Sequence, residues 1–136
     1  MDWFKKLVRK TPPAHPAPAT LHRGADGVYV LRIFGVLRKS TVDRIQAVGA
    51  QDFDRGVSDL KLLIVLTDFQ GWSRGDRWDD LDFFSQYEHK VTKIAVVGEP
   101  SWKEDTLLFL AAGHRKGEVR YFLPDSESEA SAWLIA

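Results

Sequence analysis

The chain carries Leu62-Leu-Ile-Val-Leu66 and Ile94-Ala-Val-Val97, two nearly uninterrupted apolar runs that decide its fold. Two further strand-like segments flank them, Val28-Tyr-Val-Leu-Arg-Ile-Phe34 and Val119-Arg-Tyr-Phe122, and a helix pattern follows each of the four. Strands that alternate with helices predict an α/β domain with a mostly parallel sheet. Because the two central runs lack apolar–polar alternation, we expect inner strands with helices on both faces.

A hairpin is predicted just before these strands. Leu21-His-Arg23 is a short first arm, and Gly24-Ala-Asp-Gly27 is a turn segment that leads into the strand from Val28. Glycine and aspartate tolerate the positive φ angles that tight turns need. We therefore expect a mixed sheet of about five strands, with the first strand antiparallel at an edge, flanked by about four helices.

The predicted helices have recognisable starts. Three of them pair a serine with a carboxylate three positions later, in the segments Ser40-Thr-Val-Asp43, Ser101-Trp-Lys-Glu104 and Ser126-Glu-Ser-Glu129. In such a capping box the two side chains satisfy free backbone amides at the helix N-terminus. Asp76 is predicted to cap another helix, which runs from Arg77 to about His89.

The composition fits one compact domain and excludes several functions. The chain has 136 residues, 44% of them hydrophobic, so it can bury a core without disulfides or metal. It has no cysteine, which excludes thiol chemistry and thiolate metal sites and suits a cytoplasmic location. The formal net charge is zero, and the part after residue 20 is slightly acidic, so nucleic acid is not an expected partner. No signal peptide or membrane-spanning run is predicted.

The first residues differ from the rest, and three units are predicted: a basic amphipathic segment (1–10), a Pro/Ala-rich linker (11–19) and the α/β domain (20–136). On a helix, an apolar face and a basic face of the first segment would oppose each other. This pattern predicts an anchor to an anionic membrane surface or to a partner. A frayed terminus or a helix packed on its own domain stays open as the alternative. The anchor residues are Trp3, Phe4, Lys5, Lys6, Leu7, Val8, Arg9 and Lys10.

The loop after Leu66 is the best candidate for a functional surface, because ligands of open α/β sheets collect at the carboxyl ends of strands. Its aromatic rings could contact a partner or form a lid over an apolar cavity; alternatively, they pack into the core. The candidate ligand- or partner-binding residues are Asp68, Phe69, Gly71, Trp72, Ser73, Arg74, Asp76 and Trp78.

No catalytic, cofactor or metal motif accompanies this loop. The chain has no P-loop, dinucleotide fingerprint or nucleophile elbow, so we expect no enzyme and no cofactor. Asp76, Asp79, Asp80 and Asp82 form an acidic cluster without EF-hand spacing. A match to the helix dipole explains this cluster more simply than a metal site.

Five segments together resemble a known family: Gly35, Leu66-Thr-Asp-Phe-Gln-Gly-Trp72, Ile94-Ala-Val-Val-Gly98 followed by Trp102, Val119-Arg-Tyr-Phe122, and Glu129-Ala-Ser-Ala-Trp-Leu134. They resemble the SpoIIAA-like family, a branch of the STAS fold related to anti-sigma-factor antagonists and to CRAL-TRIO lipid-binding domains. The resemblance covers about residues 20–135. It implies a small mixed sheet flanked by helices, used for interaction or ligand binding, with no established chemistry.

The resemblance also suggests a candidate phosphorylation site. Classical antagonists use a phosphorylatable serine at the start of the helix after the middle strand, commonly preceded by Asp. Ser73 is the corresponding candidate, but no Asp precedes it, and Asp76, Asp79 and Asp80 would repel a phosphate. An ordinary loop serine is the simpler interpretation, and the partner-switching mechanism is not transferred.

Two functions remain. The leading hypothesis is a non-enzymatic STAS-like interaction or regulatory module with a protein partner, tethered to a membrane surface by residues 1–10. The alternative is a carrier of lipid or another small apolar ligand, of CRAL-TRIO-like type. The carrier requires a cavity beneath the helices, and ligand sites begin at about 300 Å³.

Overall fold

A five-stranded mixed sheet forms the centre of the structure, a computed structural model that describes residues 19–57, 59–78, 88–113 and 115–136. The strands lie in the sheet in the order in which they occur in the chain. They are β1 (Ala19–Arg23), β2 (Tyr29–Phe34), β3 (Leu60–Thr67), β4 (Val91–Val97) and β5 (Glu118–Phe122).

Strand β1 is antiparallel to β2 and lies at the edge, whereas β2 to β5 are parallel. The hairpin turn is closed by hydrogen bonds from the Gly24 amide to the Val28 carbonyl (2.8 Å) and from the Gly27 amide to the Gly24 carbonyl (3.0 Å). Gly27 has a φ of 84°, which glycine adopts without a steric penalty. The predicted five-stranded sheet with an antiparallel first strand is confirmed.

Three α-helices lie in the described ranges: α1 (Lys39–Asp54), α2 (Lys103–Phe109) and α3 (Glu127–Ile135). The parallel strands follow one another across the sheet, so right-handed crossovers place α1 and α2 on one face, called here the near face. Helix α3 comes after the last strand and packs on the opposite, far face, mostly against β3 and β4.

Alternation along the strands divides the core between these faces. On β3, Leu60 and Ile64 belong to the near-face core with residues of α1 and α2, whereas Leu63 and Val65 belong to the far-face core with Leu134. Successive side chains of a strand point to opposite faces, and β3 is apolar on both. This double burial explains why its sequence reads as a continuous apolar run.

The predicted capping boxes are wrong. Helix α1 begins at Lys39 after Arg38, and α2 begins at Lys103 after Trp102, both without a side-chain cap. Ser126 does precede α3, but its side chain makes no cap hydrogen bond. Asp43 forms an ion pair with Lys39 at 3.0 Å instead of capping the helix.

Several predictions lie outside the described residues. They are the amphipathic segment 1–10 and nearly all of the linker, whose last residue, Ala19, begins β1. Most of the helix predicted from Arg77 to about His89 also falls on the undescribed residues 79–87, as do Asp79, Asp80 and Asp82. These remain predictions.

Candidate functional site

The near face of the sheet encloses a cavity of about 130 Å³ beneath α1, α2 and the loop after β3. Alternate residues of the strands point to this face and make its floor. Floor residues include Leu31, Ile33, Leu62, Ile64 and Ile94. Residues of the helices and the loop cover the cavity on its other side, among them Val42, Ile45, Phe69, Trp72, Phe109 and Leu110. Apolar side chains therefore form almost all of the described wall.

Backbone hydrogen bonds hold the loop over this cavity. The Leu37 amide donates to the Gly71 carbonyl and the Ser73 amide donates to the Leu37 carbonyl, both at 2.8 Å, which extends the sheet pairing beyond β2. Gly71 has a φ of 92°, and a Cβ atom there would lie 3.0 Å from the Trp102 ring. Glycine thus lets the loop backbone approach an indole ring closely.

Five aromatic side chains, called here the aromatic roof, contact one another at this end of the sheet: Phe69, Trp72, Trp78, Trp102 and Phe109. Phe69 contacts two of the other rings, with ring centroids 5.2 Å from Trp72 and 5.0 Å from Trp102 in edge-to-face geometry. Trp78 contacts Phe109 at 5.6 Å. Such pairs stabilise beyond the area that they bury.

The aromatic roof shows which way the predicted aromatic side chains face. Phe69 is buried, with 8% of its surface exposed, and Trp72 and Trp78 are half-buried. Phe69 and Trp72 line the cavity, so their rings face inward and do not form an exposed stacking surface. The site predicted from the sequence does not include Trp102 and Phe109. These residues are seven positions apart, and this spacing puts both on one side of the helical segment at α2.

The polar residues of the loop attach it to α1. The Asp76 carboxylate accepts a hydrogen bond from the Lys39 amide at 3.1 Å and another from the Ser73 hydroxyl. Asp76 thus caps α1 from a distant loop; the helix that it is predicted to cap lies mostly outside the described residues. These two hydrogen bonds, the one from Ser73 first, lower the pKa of Asp76 below its ordinary value, so the carboxylate stays ionised.

Ser73 uses all its polar groups inside the protein. Its hydroxyl donates to Asp76, its amide donates to Leu37, and its carbonyl accepts a hydrogen bond from the Trp78 indole at 3.0 Å. The Asp76 carboxylate next to its hydroxyl would repel a phosphate. Asp68 and Arg74 lie on the exposed side of the loop.

Some residues of the cavity wall carry a buried polar atom that has no partner. Gln46 Nε2, Trp72 Nε1 and Thr106 Oγ1 are buried and have no hydrogen-bond partner among the residues that the structure describes. All three residues line the cavity, as does Arg115. A buried polar atom without a partner costs about 1–3 kcal/mol, and native proteins contain few of them. These three groups are therefore exceptions to the usual pairing of buried polar atoms.

Neither a metal centre nor a membrane span is found in the described ranges. No three of the described His, Asp and Glu side chains lie close enough to hold a metal ion. None of the described helices is both long and apolar enough to cross a membrane.

This fold and cavity define the chain as a STAS-like α/β domain. The solved structure of an uncharacterized protein from Shewanella loihica with a SpoIIAA-like fold is similar to it, with a TM-score of 0.63 and 19% sequence identity over 85% of this chain and 91% of that chain. The SpoIIAA-like family profile matches residues 28–135, so the chain belongs to the SpoIIAA-like family. No curated protein matches the chain. The predicted resemblance is thus confirmed, and this membership suggests a regulatory or interaction module.

Proposed function

We propose that this protein is a non-enzymatic binding module that holds a small, mostly apolar molecule in the near-face cavity. The observation that carries the proposal is the cavity itself, which has a volume of about 130 Å³ and a wall built mainly from β2, β3, β4, α1, α2 and the loop after β3. Ligand sites are typically concave and apolar, with a few polar groups that fix orientation. This cavity is concave, and its lining is almost entirely apolar.

The volume sets the size of the ligand. An engineered apolar cavity of about 150 Å³ in another protein binds benzene, so a cavity of about 130 Å³ suits a molecule near the size of one ring. The cavity is smaller than the roughly 300 Å³ at which sites for drug-sized ligands begin, so the lipid carrier expected from the sequence does not meet its size criterion. The proposal therefore concerns a small ring-sized compound, and the volume argues against a whole lipid as cargo.

Ligand binding also gives a route to regulation. The aromatic roof contacts the cavity on its inner side, while Gln70 and Arg74 of the same loop are exposed. The loop is joined to the start of α1 through Asp76 and the Lys39 amide. A ligand that packs against Phe69 and Trp72 would stabilise this arrangement and the surface that the loop presents to a protein partner.

Toluene is the first probe, because it has the size of the proposed ligand and no polar group. At ten times its Kd, a ligand adds about 1.4 kcal/mol to the free energy of unfolding. For a domain of this size, that corresponds to a rise in melting temperature of roughly 4–6 °C. Val42→Phe should abolish most of this rise, because Val42 is buried on α1 and lines the cavity.

Val48→Phe is the matched control, since Val48 is exposed on the same helix and does not line the cavity. The control should respond to toluene as the wild type does. Equal responses of the Val42→Phe and Val48→Phe variants would place toluene binding elsewhere, and a wild type that shows no rise would contradict the proposal.

A further inference from the structure

Within the described ranges, helices cover only part of the far face of the sheet. Helix α3 packs there mostly against β3 and β4, whereas α1 and α2 lie on the near face. On the far side of β2, Val30 packs at the margin of the far-face core, and the Arg32 guanidinium bonds Glu127 of α3 at 3.0 Å. Phe34 follows on the same side by alternation. No described helix packs mainly on this side of β1 and β2.

The pairing register shows which residues of β1 share this surface. Thr20 lies opposite Arg32, and His22 lies opposite Val30. Directly opposed residues of an antiparallel pair point to the same face. Thr20 and His22 are exposed, and the three residues of β2 are half-buried. The surface, called here the β1–β2 patch, therefore consists of Thr20, His22, Val30, Arg32 and Phe34.

The chain that precedes β1 joins the sheet beside this patch. Ala19, the first described residue, lies opposite Ile33 and so next to Phe34. The patch extends ~15 Å from there, because β1 has 5 residues and a strand rises ~3.4 Å per residue. Residues 11–18 reach ~25 Å when extended at ~3.1 Å per residue. The amphipathic segment 1–10 is therefore long enough in its connection to return to the patch.

The composition of the linker suits such a return. Proline is favoured at the first central position of a β-turn, and Pro13 can take that position with Ala14 as the second. Ala14 is not followed by proline, so it can adopt the backbone angles that this turn requires. Pro18, just before β1, has no amide hydrogen and disfavours extension of the edge strand.

Charge favours contact between the segment and this end of the domain. Segment 1–10 has four basic residues and one acidic residue, a net charge of +3, whereas the chain after residue 20 has 15 basic and 18 acidic residues, a net charge of −3. The start of α3 borders the patch through the contact between Glu127 and Arg32, and Asp125 and Glu129 are also acidic there. Exposed charge pairs of this kind contribute modestly and weaken with salt.

We infer that residues 1–10 form a helix that packs its apolar side on the β1–β2 patch, with Lys10 toward Phe34 and Asp2 toward His22 and Val30. The apolar side consists of Trp3, Phe4, Leu7 and Val8. A ten-residue helix is ~15 Å long, which matches the length of the patch. Because an isolated helix of this length is marginal in water, packing on the sheet would supply its stability. This inference is independent of the cavity, which lies on the opposite face.

The absence of cysteine from the sequence allows a specific labelling test. Asp2→Cys gives the full chain a single thiol, to which a nitroxide is attached, and the nitroxide broadens NMR signals of residues close to it. We expect broadening of the His22 amide and of the Val30 methyl groups. The methyl groups of Val48 and Leu108, which are exposed on the near-face helices, should keep their intensity.

The double variant Phe4→Ser, Leu7→Ser removes half of the apolar side and should abolish this selective broadening. Without the label, it should also melt several degrees below the wild type, because docking stabilises only the folded domain. The double variant Lys5→Ser, Lys6→Ser is the matched control, since it introduces the same two serines on the other side of the helix. The control should keep the broadening on the patch.

Three results would overturn the inference. Broadening that is equal on both faces, or confined to the near face, would show that the segment does not dock on the patch. Unchanged broadening in the Phe4→Ser, Leu7→Ser variant would exclude packing through the apolar side. A segment that leaves the patch signals sharp but binds vesicles of phosphatidylglycerol, and not of phosphatidylcholine, would be a membrane anchor instead.

Discussion

Replacing Phe69 with alanine should lower the free energy of unfolding by about 3–5 kcal/mol, because it removes the most buried ring of the aromatic roof and enlarges the cavity beneath it. The ring is 8% exposed and contacts Trp72 and Trp102 edge-on at 5.2 and 5.0 Å. Chemical denaturation of the wild type and the variant measures this loss. Val36→Ala, at an exposed position just after β2, is the control and should change stability by less than about 0.5 kcal/mol.

Toluene should recover part of the stability that Phe69→Ala loses. The enlarged cavity accepts the probe with less strain, so the rise in melting temperature with toluene should exceed that of the wild type. A loss below about 1 kcal/mol would mean that the ring is not buried as described. A full loss with no response to toluene would mean that the space beneath the ring collapses, which contradicts a preformed cavity.

Leu134→Ala should produce a loss of similar size, about 3–4 kcal/mol, through the opposite side of the sheet. Leu134 of α3 has 0% of its surface exposed and packs with Ala130, Leu63 and Val65 in the far-face core. Deleting its side chain leaves a space between α3 and strands β3 and β4. The neighbouring Ile135→Ala is the control, since Ile135 is 55% exposed, and it should cost less than about 0.5 kcal/mol.

The two core variants are expected to differ in their response to the ligand. Leu134 does not line the near-face cavity, so folded Leu134→Ala should keep the wild-type Kd for toluene. Phe69→Ala should change it. Equal effects of both variants on the Kd would show that toluene responds to overall stability and not to the cavity.

The strands were readable from the sequence because burial on one or two faces leaves a local pattern. The apolar run at 62–66 lies within β3 (Leu60–Thr67), and the run at 94–97 lies within β4 (Val91–Val97). The strands lie in chain order, and right-handed crossovers between neighbouring parallel strands are a general rule of such sheets. Recognition of the SpoIIAA-like family rested on the same segments and is confirmed.

Helix caps were predicted less well because a cap can come from a distant part of the chain. The hydroxyl of Ser40 is close in sequence to the start of α1, but the carboxylate that bonds the Lys39 amide belongs to Asp76. A free amide N–H donates to any suitably placed oxygen, and a local motif does not reveal which oxygen tertiary packing provides. The contact between Asp76 and the start of α1 is of this kind, and the sequence pattern around Asp76 does not indicate it.

The cavity could not be read from the sequence. Phe69 and Trp72 were identified as candidates, yet whether their rings face outward or inward depends on the backbone that Gly71 and the Leu37 hydrogen bonds impose. A cavity is the space left between side chains that lie far apart in the chain. Gln46 and Thr106 carried no sequence signal, because a polar residue on a helix is usually solvated or paired.

Methyl NMR of the wild type gives the most direct test of ligand binding in the near-face cavity. The methyl groups of Leu, Ile and Val are labelled, and toluene is added in steps. We expect saturable chemical-shift changes at cavity residues Leu31, Ile64 and Leu110, and none at Leu63 and Leu134 of the far-face core. Shifts that stay linear up to the solubility of toluene, or that appear equally on both faces, would contradict the binding site proposed here.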